Sequence, residues 1–203
     1  MNTKKISSEI QLACQNLIDA AAHDMEVFVE LEKTNTLFNG YNPKMRLVHE
    51  QNAQLLEEFI MQYGWPLPLT FGKDVHEAAW LIAIHAISKP GMLKSTLQLL
   101  EQALQAGQPV AEEYAKLFDR IALYEGRKQY YGTQFFPSPM GWIARDLLDP
   151  ENVDERRALL GLSTFLEGKQ ACGAVQGGII DETEMERYNT DFLIFLKDSG
   201  WRL

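Results

Sequence analysis

Aromatic rings and neutral hydrogen-bonding side chains alternate in the stretch GRKQYYGTQFFPSPMG, residues 126–141. If Gln129–Phe136 is extended, successive side chains point to opposite sides, and each side mixes aromatic rings with amide or hydroxyl groups. A hairpin that only completes a core would instead have one apolar and one charged side. The composition is typical of the wall of a binding pocket. A hairpin that is half covered on both sides explains it equally well, and both interpretations stay open.

His85 is the first residue near such a wall that could act on a ligand. It lies in the helical segment DVHEAAWLIAIHAIS and shares a face with Ala78, Leu81 and Ile82. Because burial disfavours a charged imidazole, we expect a neutral side chain that is hydrogen-bonded through one ring nitrogen. Such a residue is either a satisfied core histidine, or a general base or ligand contact at the end of the central helix.

Arg120 and its neighbour Asp119 also have two interpretations. Periodicity places Arg120 at the edge of the apolar stripe of its helix and Asp119 nearly opposite that stripe. In the first interpretation, Asp119 is solvated and the aliphatic stem of Arg120 covers apolar surface. If residues 129–134 fold back over the helix, Arg120 becomes an anion clamp, with Tyr131 or Gln134 nearby.

We therefore predict a site for a small anionic or amide-bearing ligand. In a catalytic version of this site, His85 is the general base and Arg120 stabilises negative charge. The residue types do not distinguish a catalytic site from a binding site. The remaining predicted ligand-binding residues are Asp119, Gln129, Tyr131, Thr133 and Gln134.

Several other kinds of site lack their sequence signatures. The segment HEAAW begins like a zinc-protease motif but has Trp80 where the second histidine is required, and His23, His49 and His85 do not have the spacing of metal ligands. Phosphate-binding loops, paired cysteines and the serine-hydrolase elbow are also missing from the sequence. We therefore predict no metal and no cofactor.

The charge of the chain restricts its partners. Its 203 residues include 19 basic and 28 acidic side chains, which gives a formal net charge of −9 and a sequence pI near 5.0. Such a chain repels nucleic-acid phosphates and anionic lipids, so we expect neither partner. A basic protein is the better partner. The alternative function is accordingly an acidic protein–protein interaction module, such as an inhibitor, an immunity-type protein or an effector-associated protein.

The sequence also favours a cytoplasmic protein. It shows no apolar run of signal-peptide or membrane-spanning length, and its two cysteines, Cys14 and Cys172, are far apart. Secretion without a cleavable signal is the other possibility.

Helical periodicity dominates the elements that must position these residues. We predict a mainly α fold, in which a compact helical domain surrounds a buried central helix at Asp74–Ser88 and carries one short β-hairpin near 128–146. This domain covers residues 1–165. A glycine-rich loop at CGAVQGG and a C-terminal amphipathic helix form an appendage over 166–203.

Four motifs, taken in order, resemble those of a bacterial family of unknown function. They are GWP after the second helix, AAWLIAIHA, DRIALYEGRKQYYGTQF and DPENVDERRALLGL, and together they cover about Met45–Leu162. The resemblance supplies no activity. It implies a set of recurring positions that is rich in polar residues: Asn52, Trp65, Pro66, Trp80, His85, Asp119, Arg120, Gln129, Tyr131, Gly132, Thr133, Gln134, Arg156 and Arg157.

This sequence departs from the family pattern at three positions. Ile84 and Ile87 replace a glutamine and an aspartate that usually accompany the central histidine, and His49 stands where an acidic residue precedes Asn52. If the family performs chemistry with those groups, the departures imply that this member has lost the reaction and kept only binding.

Overall fold

The structure is a computed structural model that describes residues 8–34, 36, 40–176 and 180–202. The chain forms two units, of which the first ends at Leu93 and the second begins at Lys94.

Helices build the described part of the first unit. They are α1 (Ser8–Lys33), α2 (Pro43–Tyr63), the single turn α3 (Pro68–Phe71), α4 (Lys73–His85) and the start of α5 (Pro90–Gln105). The Asn42 side chain accepts the backbone N–H groups of Lys44 and Met45 at the start of α2. At its end, Gly64 has a φ of 77° and donates its N–H to the Ile60 carbonyl. These two ends fix the length of α2.

The helix α4 packs against both α1 and α2. It buries apolar residues on nearly every side, including Val75, Ala79, Ile82 and Ile84, as predicted for a central helix. The facing stripe of α1 includes Leu17, Ala21 and Val27 but also the charged residue Asp24. A carboxylate is therefore placed within the apolar contact between these helices.

In its described residues, the second unit contains the rest of α5 and four further α-helices. These are α6 (Ala111–Tyr124), α7 (Val153–Leu159), α8 (Phe165–Gln176) and α9 (Glu182–Asp198). The sequence did not predict α8, and the glycine-rich loop expected at CGAVQGG is helical as far as Gln176, while residues 177–179 lie outside the described part. Asp149, which precedes the 3-10 turn at Pro150–Asn152, has a φ of 43°, and its side chain makes no capping hydrogen bond.

The predicted hairpin is present but very short. Its strands β1 (Phe135–Phe136) and β2 (Ile143–Ala144) are antiparallel, with Phe135 opposite Ala144 and Phe136 opposite Ile143. The first arm was expected over Gln129–Phe136, but only Phe135–Phe136 is a strand, and residues 126–134 form an irregular loop. A separate backbone bridge of the parallel type joins Gln129 and Leu147.

Helix α9 contributes aromatic side chains to the core of the second unit. Tyr124 of α6 contacts the rings of Phe192, Phe195 and Trp201 at centroid distances of 5.0–5.7 Å. An Asp181–Glu184 capping box starts the helix. The separation of 166–203 as an appendage stays a prediction, and these contacts show that α9 packs on α6.

The mainly α fold with one short hairpin is confirmed. Within the described residues, none of the helices combines the length and the apolar character that crossing a bilayer requires.

Candidate functional site

Three helices of the first unit bring one carboxylate and two imidazoles together. Asp24 comes from α1, His49 from α2 and His85 from the last residue of α4. The Asp24 Oδ1 atom lies 2.9 Å from His85 Nδ1, and Asp24 Oδ2 lies 3.4 Å from His49 Nε2. The two imidazole centroids are 5.0 Å apart. We call these three residues the Asp–His–His cluster.

Access to the cluster comes through His85. The side chain of Asp24 is fully buried and that of His49 is 8% exposed, whereas 26% of the His85 side chain is exposed. Burial alone would raise the pKa of Asp24. Interactions with the imidazoles of His49 and His85 outweigh it and hold that pKa well below its usual range. Asp24 is therefore a buried anion with a partly exposed imidazole beside it.

The cluster contains two buried polar atoms that have no hydrogen-bond partner in the described structure, Asp24 Oδ2 and His49 Nε2. They face each other across the 3.4 Å separation. The other ring nitrogen of His49, Nδ1, is 2.8 Å from the Tyr41 hydroxyl. Buried polar groups are nearly always hydrogen-bonded, so this pair is an exception that calls for an explanation.

Asp24, His49 and His85 can also offer one atom each to a single metal ion, because the three atoms lie within 4.8 Å of one another. Residue spacing predicted no metal, but spacing within one helix does not exclude ligands that come from three separate helices. The available signal was local. Asp24 and His49 are titratable residues on helix faces that bury mainly apolar side chains, although α2 also buries the polar residue Asn52.

In the second unit, the Asp119 carboxylate organises the loop that follows α6. It accepts backbone N–H groups from Tyr130, Tyr131 and Thr133 at 2.7–3.2 Å, and also the Thr133 hydroxyl at 3.0 Å. Asp119 is fully buried, so its interpretation as a solvated residue is wrong: the loop covers it. Burial raises its pKa, while these hydrogen bonds act in the opposite direction.

Two glutamines close the same loop. The Gln129 amide nitrogen donates to the carbonyls of Gln134 and Arg145, and its amide oxygen accepts the Gln134 N–H at 2.8 Å. The Gln134 side chain accepts from Arg120 Nε at 3.1 Å and donates to the Lys116 carbonyl. The hydrogen-bonding atoms of Gln129 are therefore engaged within the protein.

Buried arginines fasten the loop from its other side. Arg156 donates to the Tyr130 carbonyl at 2.7 Å and stacks on the Tyr130 ring, and Arg157 donates to the Tyr131 carbonyl at 2.8 Å. Burial lowers the pKa of Arg157. Gly132 has a φ of 64°, and a Cβ atom there would lie 2.8 Å from the Phe165 ring. Only glycine fits this point of the loop.

The predicted site residues thus fall into two groups. The loop joins Arg120 and the predicted ligand-binding residues through hydrogen bonds within the second unit: Asp119, Gln129, Tyr131, Thr133 and Gln134. His85 belongs to the first unit and contacts Asp24, which the sequence analysis did not select.

Comparison with known protein families matches residues 36–172 to DUF6624, a family of unknown function. The chain belongs to this family. Neither the curated proteins nor the solved structures contain a match.

The DUF6624 match includes most of both groups of residues. His49, His85 and the whole Asp119 loop lie inside it, while Asp24 lies before its first residue. The Asp–His–His cluster therefore combines two residues of the family region with one from the helix that precedes it.

Proposed function

We propose that this chain binds a small anionic or amide-bearing ligand at the Asp–His–His cluster. The observation that carries this proposal is the facing pair of buried, unpartnered atoms, Asp24 Oδ2 and His49 Nε2. Each such group costs about 1–3 kcal/mol if it stays unpaired, so a third group that engages them is favoured. The partly exposed His85 side chain gives that group a way in.

The loop around Asp119 has a different role in this proposal. Its carboxylate and the Gln129 amide are saturated by groups of the protein, and both residues are completely buried. We therefore assign Asp119, Gln129 and Gly132 to holding the loop in place. The ligand contacts the Asp–His–His cluster, that is, His85 together with Asp24 and His49.

Calorimetric titration with inorganic phosphate, acetate and acetamide tests the binding proposal. The useful variant is His85→Asn, because the amide nitrogen of asparagine can replace Nδ1 as the donor to Asp24 while the rest of the imidazole is lost. We expect His85→Asn to abolish binding and to leave the melting temperature nearly unchanged. His23→Ala is the matched control, since His23 is an exposed histidine of the same helix as Asp24.

Two results contradict the proposal. One is the absence of saturable binding of all three probes to the wild-type protein. The other is binding that survives in His85→Asn at wild-type affinity. A loss of the folded state in His85→Asn instead identifies His85 as a core residue.

A second candidate function, an acidic surface for a basic protein partner, has its own observation. Leu148 and Leu159 are 41% and 85% exposed and line an open concavity of about 530 Å³ in the second unit. Asp149 and Glu155 also line it, and the nearby exposed acidic residues are Asp146, Glu151 and Asp154. Arg156, a cation that also lines the concavity, is buried and already donates hydrogen bonds to backbone carbonyls. The surface therefore fits a peptide that carries both lysine and leucine.

A fluorescent peptide of alternating lysine and leucine tests this second function. We expect the double variant Glu151→Gln/Glu155→Gln to weaken its binding about 5- to 10-fold at low salt. Glu57→Gln/Glu58→Gln removes the same charge from exposed positions of α2 and should leave binding unchanged. Equal weakening by both pairs means that only net charge matters, which contradicts a defined surface.

A further inference from the structure

We infer that the Asp–His–His cluster holds a divalent transition-metal ion, with Asp24, His49 and His85 as its protein ligands. This inference rests on the proposed function, because the ion is the group that attracts the oxygen of an anion or an amide. A buried carboxylate by itself repels an anion. An ion of charge +2 bound to that carboxylate reverses the sign of the local charge.

The separations between the ligand atoms fit a shared ion. Nitrogen and oxygen ligands bind zinc and similar ions at about 2.0–2.2 Å, so two ligands of one ion lie about 3.0 Å apart in an octahedron and about 3.4 Å apart in a tetrahedron. The observed separations are 2.9 Å from Asp24 Oδ1 to His85 Nδ1 and 3.4 Å from the other oxygen, Oδ2, to His49 Nε2. One atom from each of the three residues lies within 4.8 Å of the others, so both imidazoles are within reach of an ion held by the carboxylate.

Independent support comes from the unpartnered atoms. Asp24 Oδ2 and His49 Nε2 are buried in residues that are 0% and 7% exposed, and both are atoms that bind metals when deprotonated. An ion between them would satisfy both at once. A single proton shared across 3.4 Å would make only a long hydrogen bond.

The surroundings of His49 match those of a metal-bound histidine. Ligating histidines commonly donate their second ring N–H to an oxygen, which fixes the tautomer and the ring orientation. The Tyr41 hydroxyl lies 2.8 Å from His49 Nδ1 and can accept that proton, which leaves Nε2 as the metal ligand. Tyr41 is thus a positioning residue for the ion.

The donor set also indicates the class of metal. Two imidazoles and one carboxylate suit Zn²⁺, Co²⁺, Ni²⁺ or Fe²⁺ better than Mg²⁺ or Ca²⁺, which prefer oxygen ligands. Three protein ligands leave at least one coordination position for water or for a ligand oxygen. That position is reached from the side of the partly exposed His85.

Visible absorption during a Co²⁺ titration of the chelator-treated, full-length protein tests the inference. We expect saturable ligand-field bands at one Co²⁺ per chain, and affinity lowered about 100-fold or more in His49→Gln and His85→Asn. Tyr41→Phe should lower the Co²⁺ affinity about 10-fold, as is typical when a residue that hydrogen-bonds to a metal ligand is changed. The control His23→Ala should bind like the wild type. No bands in the wild-type protein, or their loss in His23→Ala alone, overturns the inference.

X-ray absorption of the wild-type Co²⁺ protein provides a test that does not depend on whether variants fold. We expect two imidazoles and only oxygen besides, whereas sulfur in the first shell would assign the ion to a cysteine or methionine and overturn the inference. Phosphate titration of the chelator-treated protein, alone and after addition of one Co²⁺ per chain, separates the two proposals. Phosphate binding by a protein that takes up no Co²⁺ removes the metal and keeps the ligand site. Co²⁺ uptake with no phosphate binding to the Co²⁺ protein keeps the metal and removes the ligand site.

Discussion

The carboxylate of Asp119 accepts two hydrogen bonds from a single residue, Thr133: one from its backbone N–H at 2.9 Å and one from its hydroxyl at 3.0 Å. Tyr130 and Tyr131 donate to the same carboxylate. Four donors that converge on one side chain require a group that only accepts hydrogen bonds, and an ionised aspartate is such a group.

Asp119→Asn should therefore destabilise the protein by about 3 kcal/mol or more, because an amide N–H₂ would face donors that then lose their acceptor. Denaturant unfolding measures the loss. Asp198→Asn, at the exposed end of α9, is the control and should change the free energy of unfolding by less than about 0.5 kcal/mol. If the two variants are equally stable, the carboxylate does not hold the loop.

Gly132→Ala should cost about 2–4 kcal/mol of unfolding free energy. The backbone there has a φ of 64°, and the new methyl group would lie 2.8 Å from Phe165. Gly91→Ala, in an open and exposed position of α5, should be neutral or slightly stabilising. Placing Gly132→Ala in a Phe165→Ala background should recover the part of the cost that comes from the ring. If the unfolding free-energy costs of Gly132→Ala and Phe165→Ala simply add, the new methyl group does not contact the Phe165 ring.

Tyr131 should make the protein less stable in alkali. Burial, with smaller contributions from neighbouring tyrosines and Asp119, raises the pKa of Tyr131 to about 12 from its ordinary value near 10. Because the folded state favours the neutral phenol, this contribution is fully present below about pH 10 and is lost as the pH rises to about 12.

Tyr131→Phe removes the ionisable group and keeps the ring that packs on Tyr114 and Phe118. Between about pH 10 and pH 12, the variant should lose about 2 kcal/mol less stability than the wild-type protein, as measured by urea unfolding at each pH. Parallel pH profiles would show that the Tyr131 phenol has the same pKa folded and unfolded.

The sequence predicts the helices well because their signal is local. The apolar stripes of α1, α2, α5 and α6 repeat every three to four residues and are buried, and α4 is apolar on nearly every side. Helix α8 was missed because two glycines and short apolar runs give FLEGKQACGAVQ no clear stripe. The irregular path of residues 126–134 depends on Asp119, Arg156 and Arg157, whose bonds with it cross eleven or more positions in the sequence.

The Asp–His–His cluster was only partly accessible from the sequence. His85 was selected because it interrupts an apolar helix, and the same reasoning applies to Asp24 on α1. The pairing itself joins residues 61 positions apart and is decided by how α1, α2 and α4 pack. Ligand spacing within one helix carries no information about such a site.

Histidine side-chain NMR of the wild-type protein tests the central claim most directly, because it shows which imidazoles respond when inorganic phosphate or acetamide is added. The protein has four histidines, His23, His49, His76 and His85. We predict saturable shifts of the His49 and His85 resonances, with those of exposed His23 and of His76, which is bonded to the Pro66 carbonyl, unchanged. Resonances of His49 and His85 that stay fixed while either probe is raised to millimolar concentration would contradict a binding centre at the cluster.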